Sequence, residues 1–234
     1  AKSVRAKVIT YGIHKDADVR AEDIRPRDKE GFDFTVRLFN QTISTHLPFI
    51  GSCNIYNALA AMATSYTLGL EPEDMKAGLN NCNLLSQRYE ITELKGVTVI
   101  NDTYNANPRS MLEAMKTLAQ YPCKGRRFLV IGDMLELGKL AEPAHRQLGT
   151  QVGALSIDYL VAVGEFSAFA AQGAADAGMG CKRIASASER KCAVAFLKKH
   201  VRPGDCLLVK GSRGSKMEEV VNSLAEEIAS GGNG

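Results

Sequence analysis

Six of the eight residues in Asn101-Asp102-Thr103-Tyr104-Asn105-Ala106-Asn107-Pro108 carry polar side chains, and they stand directly behind the apolar run Val97-Thr98-Val99-Ile100. That run predicts a strand, and open α/β sheets hold their ligands at the carboxyl ends of strands. Asp102 at that place can accept both hydroxyls of a ribose, while Asn105 and Asn107 offer donors and acceptors to a nucleotide or a carboxylate. The competing explanation is a structural turn, because Asn and Asp tolerate left-handed backbone and Asn107-Pro108 suits the start of a helix.

Two further polar loops follow apolar runs, so three loops are expected to share one rim. In Lys210-Gly211-Ser212-Arg213-Gly214, backbone N–H groups could face an anion while Arg213 supplies a bidentate fork. The alternative is a glycine turn carrying two solvated bases. In Gly132-Asp133-Met134-Leu135-Glu136, Asp133 or Glu136 could act as a general base or orienting carboxylate, or cap the loop before the next helix. Neither loop has the order of a phosphate loop, and Gly164 after Val163 lacks the companions of a dinucleotide fingerprint. Asn54 and Asn57, three apart at the start of a helix, put two amides on one face near its positive end, or else amount to a cap plus a surface amide. Arg88 and Glu90 share a strand face and could simply pair.

These groups need elements to hold them. The first fifty residues alternate short β-like runs (7–11, 32–39, 43–47) with charged turns, which predicts β-ribbons. Helices are expected over 54–68, stopped by Gly69, and over 71–79. Beyond residue 85 the rhythm changes to strands at 90–94, 97–100, 128–131, 159–163, 183–185 and 206–209. Helices alternate with them at 110–119, 144–155, 166–177, 189–199 and 216–229. This pattern predicts a mostly parallel sheet wound with right-handed crossovers, with a domain boundary near 84–87 and a disordered end at 230–234.

Composition narrows the classes of partner. At 234 residues and 45% hydrophobic, the chain can bury one good core and has room for a second, smaller unit. The net charge of +3 is dispersed, and without Trp there is little on which bases could stack, so nucleic acid is excluded as a partner. No apolar run approaches the roughly 18 residues of a membrane span, and Ala1-Lys2-Ser3-Val4-Arg5 leads into no signal core, so a soluble cytoplasmic protein is expected. The six cysteines (Cys53, Cys82, Cys123, Cys181, Cys192, Cys206) form no C-x-x-C pair and read as reduced, mostly buried thiols. The histidines are equally scattered. No protein-bound metal is expected, although a hard cation held partly by phosphate remains compatible.

Several segments together resemble the Mur ligases. They are Gly51-Ser52-Cys53-Asn54-Ile55-Tyr56-Asn57-Ala58-Leu59-Ala60-Ala61, Gln87-Arg88-Tyr89-Glu90, the 101–108 segment, Gly132-Asp133-Met134 with Glu136-Leu137-Gly138, and Lys210-Gly211-Ser212-Arg213 with Met217-Glu218. Order and spacing match from about 49 to 227. The resemblance is to the branch that adds D-Ala-D-Ala to a UDP-N-acetylmuramoyl-tripeptide. It implies an α/β fold: residues 86–234 as a Rossmann-like, mostly parallel sheet with flanking helices that binds the incoming dipeptide, and residues 1–85 as the trailing β-ribbon and helix pair of an ATPase domain. It also implies an ATP-dependent, monomeric ligase acting through an acyl phosphate, with Mg2+ and the phosphate loop supplied by protein outside this segment, so that the segment alone is expected to be inactive.

Carried over position by position, the resemblance gives Asn54 and Asn57 to adenine, Asp102 to ribose with Asn105 on the nucleotide, and Arg88 to phosphate. Asn107, Ser212 and Arg213 fall where the acceptor loops lie, and Arg88 and Asp133 are the catalytic candidates. Cys53 departs from the family, which commonly has His there. A thiol that merely packs in its place is the expectation. Two alternatives stay open: a folylpolyglutamate- or cyanophycin-type ligase with a different acceptor, and a binding module without catalysis.

Overall fold

The computed structural model describes residues 6–83 and 85–230. The chain divides into two units, Ala1–Leu84 and Leu85–Gly234. The sequence reading of the first five residues lies outside the described residues, as does the expected disorder of 231–234, while Ser230 closes a helix.

In the first unit, β1 (Tyr11–Gly12), β2 (Val19–Pro26), β3 (Phe32–Leu38) and β4 (Gln41–Leu47) form a sheet in that order. The β1–β2 pair is parallel and the next two pairs are antiparallel. Alternation decides which face is inside: Phe34, Val36 and Leu38 of β3 and Ile43 and Leu47 of β4 point into one core. Helix α1 (Ser52–Thr67) lays Ile55, Leu59 and Met62 into the same core, and α2 (Pro72–Asn80) adds Met75 and Leu79. Strand β2 escaped the sequence reading, and the strand expected at 7–11 shrinks to β1. The reason is local. Only Val19 and Ala21 of β2 are buried, and a bulge between Glu22 and Arg25, with Asp23 at φ 50°, breaks the alternation that would have revealed it.

The second unit is a six-stranded sheet in the order β5 (Glu90–Leu94), β6 (Val97–Asp102), β10 (Cys206–Lys210), β7 (Arg127–Ile131), β8 (Tyr159–Val163) and β9 (Ile184–Ala187). Only β5 runs antiparallel to its neighbour. Every residue of β6 and β10 is buried, as expected of central parallel strands covered on both faces by helices. The crossovers are α3 (Pro108–Gln120), α4 (Ala141–Gly153), α5 (Ser167–Asp176) and α6 (Arg190–His200), and α7 (Glu218–Ser230) closes the unit. Strand β10 returns from the far edge to insert between β6 and β7. That return sets the loop after β10 between the loops after β6 and β7.

Candidate functional site

Backbone bonds join the three loops. Gly132 N–H donates to Lys210 O at 2.8 Å, and Ser212 N–H donates to Asp133 O at 3.0 Å. The Ser212 hydroxyl donates to Ala106 O at 3.2 Å and accepts from Leu135 N–H at 2.9 Å. One buried serine thus ties all three loops, and its single proton is committed to a backbone carbonyl. The expectation that Ser212 binds substrate is narrowed: its hydrogen is committed to a backbone carbonyl, so it can meet a ligand only as an acceptor.

At the floor of the rim, Lys210 Nζ lies 2.6 Å from Asp102 Oδ2 and 2.8 Å from Asn105 O. Lys210 is 3% exposed and Asp102 6%, so Lys210 is a buried ion-pair partner and not the solvated base of the bland reading. Burial pushes the Asp102 carboxyl above its ordinary value, and Lys210, the Tyr89 N–H and the Arg88 charge pull it back only in part.

Asp133 is buried, and its two oxygens accept Glu165 N–H at 2.9 Å and Phe166 N–H at 3.1 Å. It therefore caps the turn into α5, not the helix that follows it in sequence. Gly164, at φ +117°, makes room for it: a Cβ there would stand 2.3 Å from Asp133 Oδ2. Both oxygens of the expected catalytic carboxylate thus hold a backbone donor, which gives Asp133 a structural part in the turn. Buried His145 accepts Met134 N–H at Nε2, 3.0 Å away, which leaves Nδ1 to donate to Ala141 O at 2.7 Å. This fixes one tautomer and clamps the 132–138 loop.

The loop after β10 also differs from expectation. Its Ser212, Ser215 and Lys216 N–H groups bond to Asp133, Ser212 and Arg213 carbonyls, and α7 starts only at Glu218 with two acids in its first turn. Those three N–H groups are therefore committed to the protein, and Arg213 stands on the loop as an exposed cation.

Arg213 and Arg88 are both exposed, and both lie over the ring of Tyr104, at 5.4 and 4.1 Å from its centroid. Each such contact is worth about 0.5–1 kcal/mol at an exposed site. Arg88 thus stacks on Tyr104 and does not pair with Glu90, whose carboxylate accepts from Ser86, Gln87 N–H and Asn101. Asn107 caps α3: its Oδ1 accepts Ser110 N–H at 2.9 Å and its own N–H donates to Ser110 Oγ at 3.0 Å. The turn explanation therefore accounts for Asn107 Oδ1. Exposed Asn105 bonds Ala106 N–H through Oδ1.

In the first unit, Asn54 is buried on the first turn of α1 and donates to Ile50 O at 2.8 Å, while exposed Asn57 donates to Asn54 Oδ1 at 3.3 Å. Gly51 occupies the cap position, so neither amide is a cap. Both line a cleft of about 410 Å³ walled by apolar side chains including Phe49, Met62 and Leu79. Cys53 is half-buried beside them. Of the six cysteines only Cys206 is buried, and Cys181 and Cys192 are exposed, which corrects the expectation of mostly buried cysteines. Among the described residues, no cluster of three His, Cys, Asp or Glu side chains could hold a metal ion, and no helix is long and apolar enough to cross a membrane.

Sequence reasoning missed Tyr104, Lys210 and His145 as parts of the site. Tyr104 left a usable signal, an aromatic ring inside an otherwise polar loop. Lys210 and His145 left none, since burial of a lone base is set by tertiary packing.

Residues 87–213 match the family described as Mur ligase, glutamate ligase domain, and residues 1–65 match the Mur ligase middle domain. The chain is 35% identical over 218 residues to UDP-N-acetylmuramoyl-tripeptide--D-alanyl-D-alanine ligase of Bacillus subtilis, covering 93% of this chain and 47% of that protein. Against the Escherichia coli protein of the same name it is 36% identical over 197 residues, covering 84% and 42%. A crystal structure of MurF from Acinetobacter baumannii superposes with a TM-score of 0.83 at 30% identity, over 93% of this chain and 46% of that one. The MurF ligase of Thermotoga maritima, solved with ADP, shares the fold at a TM-score of 0.78 and 24% identity, over 95% of this chain and 49% of that one. The chain spans about half the length of the relatives it matches. With both domain families matched in chain order, and three strand-end loops tied together at one rim, the chain belongs to the Mur ligase family.

Proposed function

We propose that this chain is part of a cytoplasmic ATP-dependent ligase that joins D-Ala-D-Ala to a UDP-N-acetylmuramoyl-tripeptide in peptidoglycan synthesis. The observation that carries the reading is the 35% identity, over nearly the whole chain, to the Bacillus subtilis ligase of that name. ATP supplies the phosphoryl group that activates the tripeptide carboxylate. The residues of this chain bind and orient. Asn54 and Asn57 present amides at an apolar cleft suited to the flat, nitrogen-edged adenine ring. Asp102 accepts ribose hydroxyls through the lone pairs that Lys210 leaves free, with Asn105 beside it. Arg88 takes a phosphate oxygen, the Asn107 Nδ2 takes the dipeptide carboxylate, and Arg213 stands beside them on the acceptor loop. Ser212, Asp133 and His145 hold the loops that carry them.

Fixing an amine in line with its target is worth up to about 7–11 kcal/mol, so rigid loops at the acceptor side are where this chain contributes rate. Mg2+ would be held by protein outside this segment, since among the described residues no group of three His, Cys, Asp or Glu side chains could hold a metal ion.

The test uses a full-length protein carrying this chain. Phosphate release from ATP, with the UDP-linked tripeptide present, should depend on D-Ala-D-Ala. A preference for glutamate as acceptor would overturn the reading in favour of a folylpolyglutamate-type enzyme.

A further inference from the structure

We propose that Arg88 and Arg213 form one anion clamp gathered on Tyr104, and that Tyr104 is the positioning residue that holds both guanidinium forks open for a single oxyanion of the phosphate class. The proposed function bears on this only in naming the natural anion, a phosphoryl group met during ligation.

Two hydrogen bonds bring the pieces together. Tyr104 N–H donates to Gln87 O at 3.1 Å, which pins the segment carrying Arg88 against the loop carrying Tyr104. The Ser212 hydroxyl on Ala106 O pins the segment carrying Arg213 against the same loop. The two side chains then converge on one ring, at 4.1 and 5.4 Å from its centroid.

Among the described residues, neither guanidinium makes a hydrogen bond or ion pair, whereas Arg37, Arg126, Arg146 and Arg190 each meet a carboxylate. The carboxylate that feels the Arg88 charge, Asp102, is already matched by Lys210. The separation of the two cations cannot exceed the sum of their distances to the ring, which is within the Debye length of roughly 10 Å at 0.1 M salt. Two like charges are therefore held close together with no acid between them, an arrangement that an anion relieves. Stacking fixes the plane of a guanidinium while leaving its five N–H donors free, and such planar forks match phosphate oxygens bidentately. It also gives Tyr104, 38% exposed, a reason to stand open at the rim.

The experiment is calorimetric titration of this chain with inorganic pyrophosphate at constant ionic strength, with thermal unfolding of each variant as a control for folding. One equivalent should bind. Tyr104→Phe should keep affinity within about twofold and Tyr104→Leu should lose about tenfold, since the ring and not the hydroxyl does the holding. Arg88→Lys and Arg213→Lys should each weaken binding, and the double variant should lose clearly less than the two losses combined, as expected for residues sharing one ligand. Absence of binding, additive losses, or a folded Tyr104→Leu of unchanged affinity would each overturn the clamp. Should Tyr104→Leu fail to fold, the arginine cycle decides alone. Normal pyrophosphate binding in a full-length protein without D-Ala-D-Ala-dependent turnover would sink the proposed function and leave the clamp standing.

Discussion

Lys210 and Asp102 are the last residues of adjacent parallel strands and face each other in register, with Nζ 2.6 Å from Oδ2. The pair is buried, so each member is expensive without the other. Lys210→Met should lower the unfolding free energy by about 3–5 kcal/mol, measured by denaturant titration near pH 8, and adding Asp102→Asn should return most of it. The sign with pH follows from burial, which already pushes the Asp102 carboxyl up and would do so unopposed in Lys210→Met. A carboxyl raised in the folded state favours folding below its unfolded value, near pH 3.9, and loses that contribution as pH climbs through the raised folded value. The penalty of Lys210→Met should therefore be smaller at pH 4 than at pH 8. Equal penalties at both would show that Asp102 is not the group left stranded.

Gly164 is required by two independent facts, its φ of +117° and the 2.3 Å that would separate a Cβ from Asp133 Oδ2. Gly164→Ala should cost at least about 2 kcal/mol of stability, part from backbone strain and part from displaced Asp133 bonds. In an Asp133→Ala background only the strain remains, so the penalty should shrink. A double-mutant cycle by denaturant unfolding checks this, and strict additivity would count against the contact.

The second unit was legible because its elements repeat strong signals. Apolar runs such as Phe128-Leu129-Val130-Ile131 and Cys206-Leu207-Leu208-Val209 are short enough to read as buried strands, and polar clusters behind them mark loops. Charged β2 was illegible because its bulge destroys the period. At the site, residue types announced which loops matter, but not which atoms remain free. Ser212 and Asp133 look like ligands in sequence, and in the structure both also hold backbone groups, through contacts across 77 and 32 residues that sequence does not announce. Tyr104 shows the reverse, an aromatic passed over in a polar loop that gathers two arginines.

Tyr121 is 3% exposed, and its hydroxyl has no hydrogen-bond partner among the described residues. Burial pushes its phenol well above the ordinary value. A stranded hydroxyl costs about 1–3 kcal/mol on protein scales, so Tyr121→Phe should be neutral to stabilising by about 1 kcal/mol, allowing for relaxation. Thermal unfolding reads the outcome. A marked loss of stability would reveal a buried water bound to the hydroxyl.

His145 is 1% exposed and acts on the rim from behind, accepting Met134 N–H while Leu135 N–H reaches Ser212. His145→Leu orphans the Met134 N–H and should cost about 1–3 kcal/mol. His145→Gln can still accept through Oε1 and should recover part of that stability. The same order should appear in function if the loop positions Ser212. In a full-length protein, KM for D-Ala-D-Ala should rise most in His145→Leu and less in His145→Gln, while KM for ATP stays near its starting value. Identical effects of Leu and Gln on both stability and acceptor KM would mean that the imidazole only fills space against Phe166, on which it stacks at 5.0 Å.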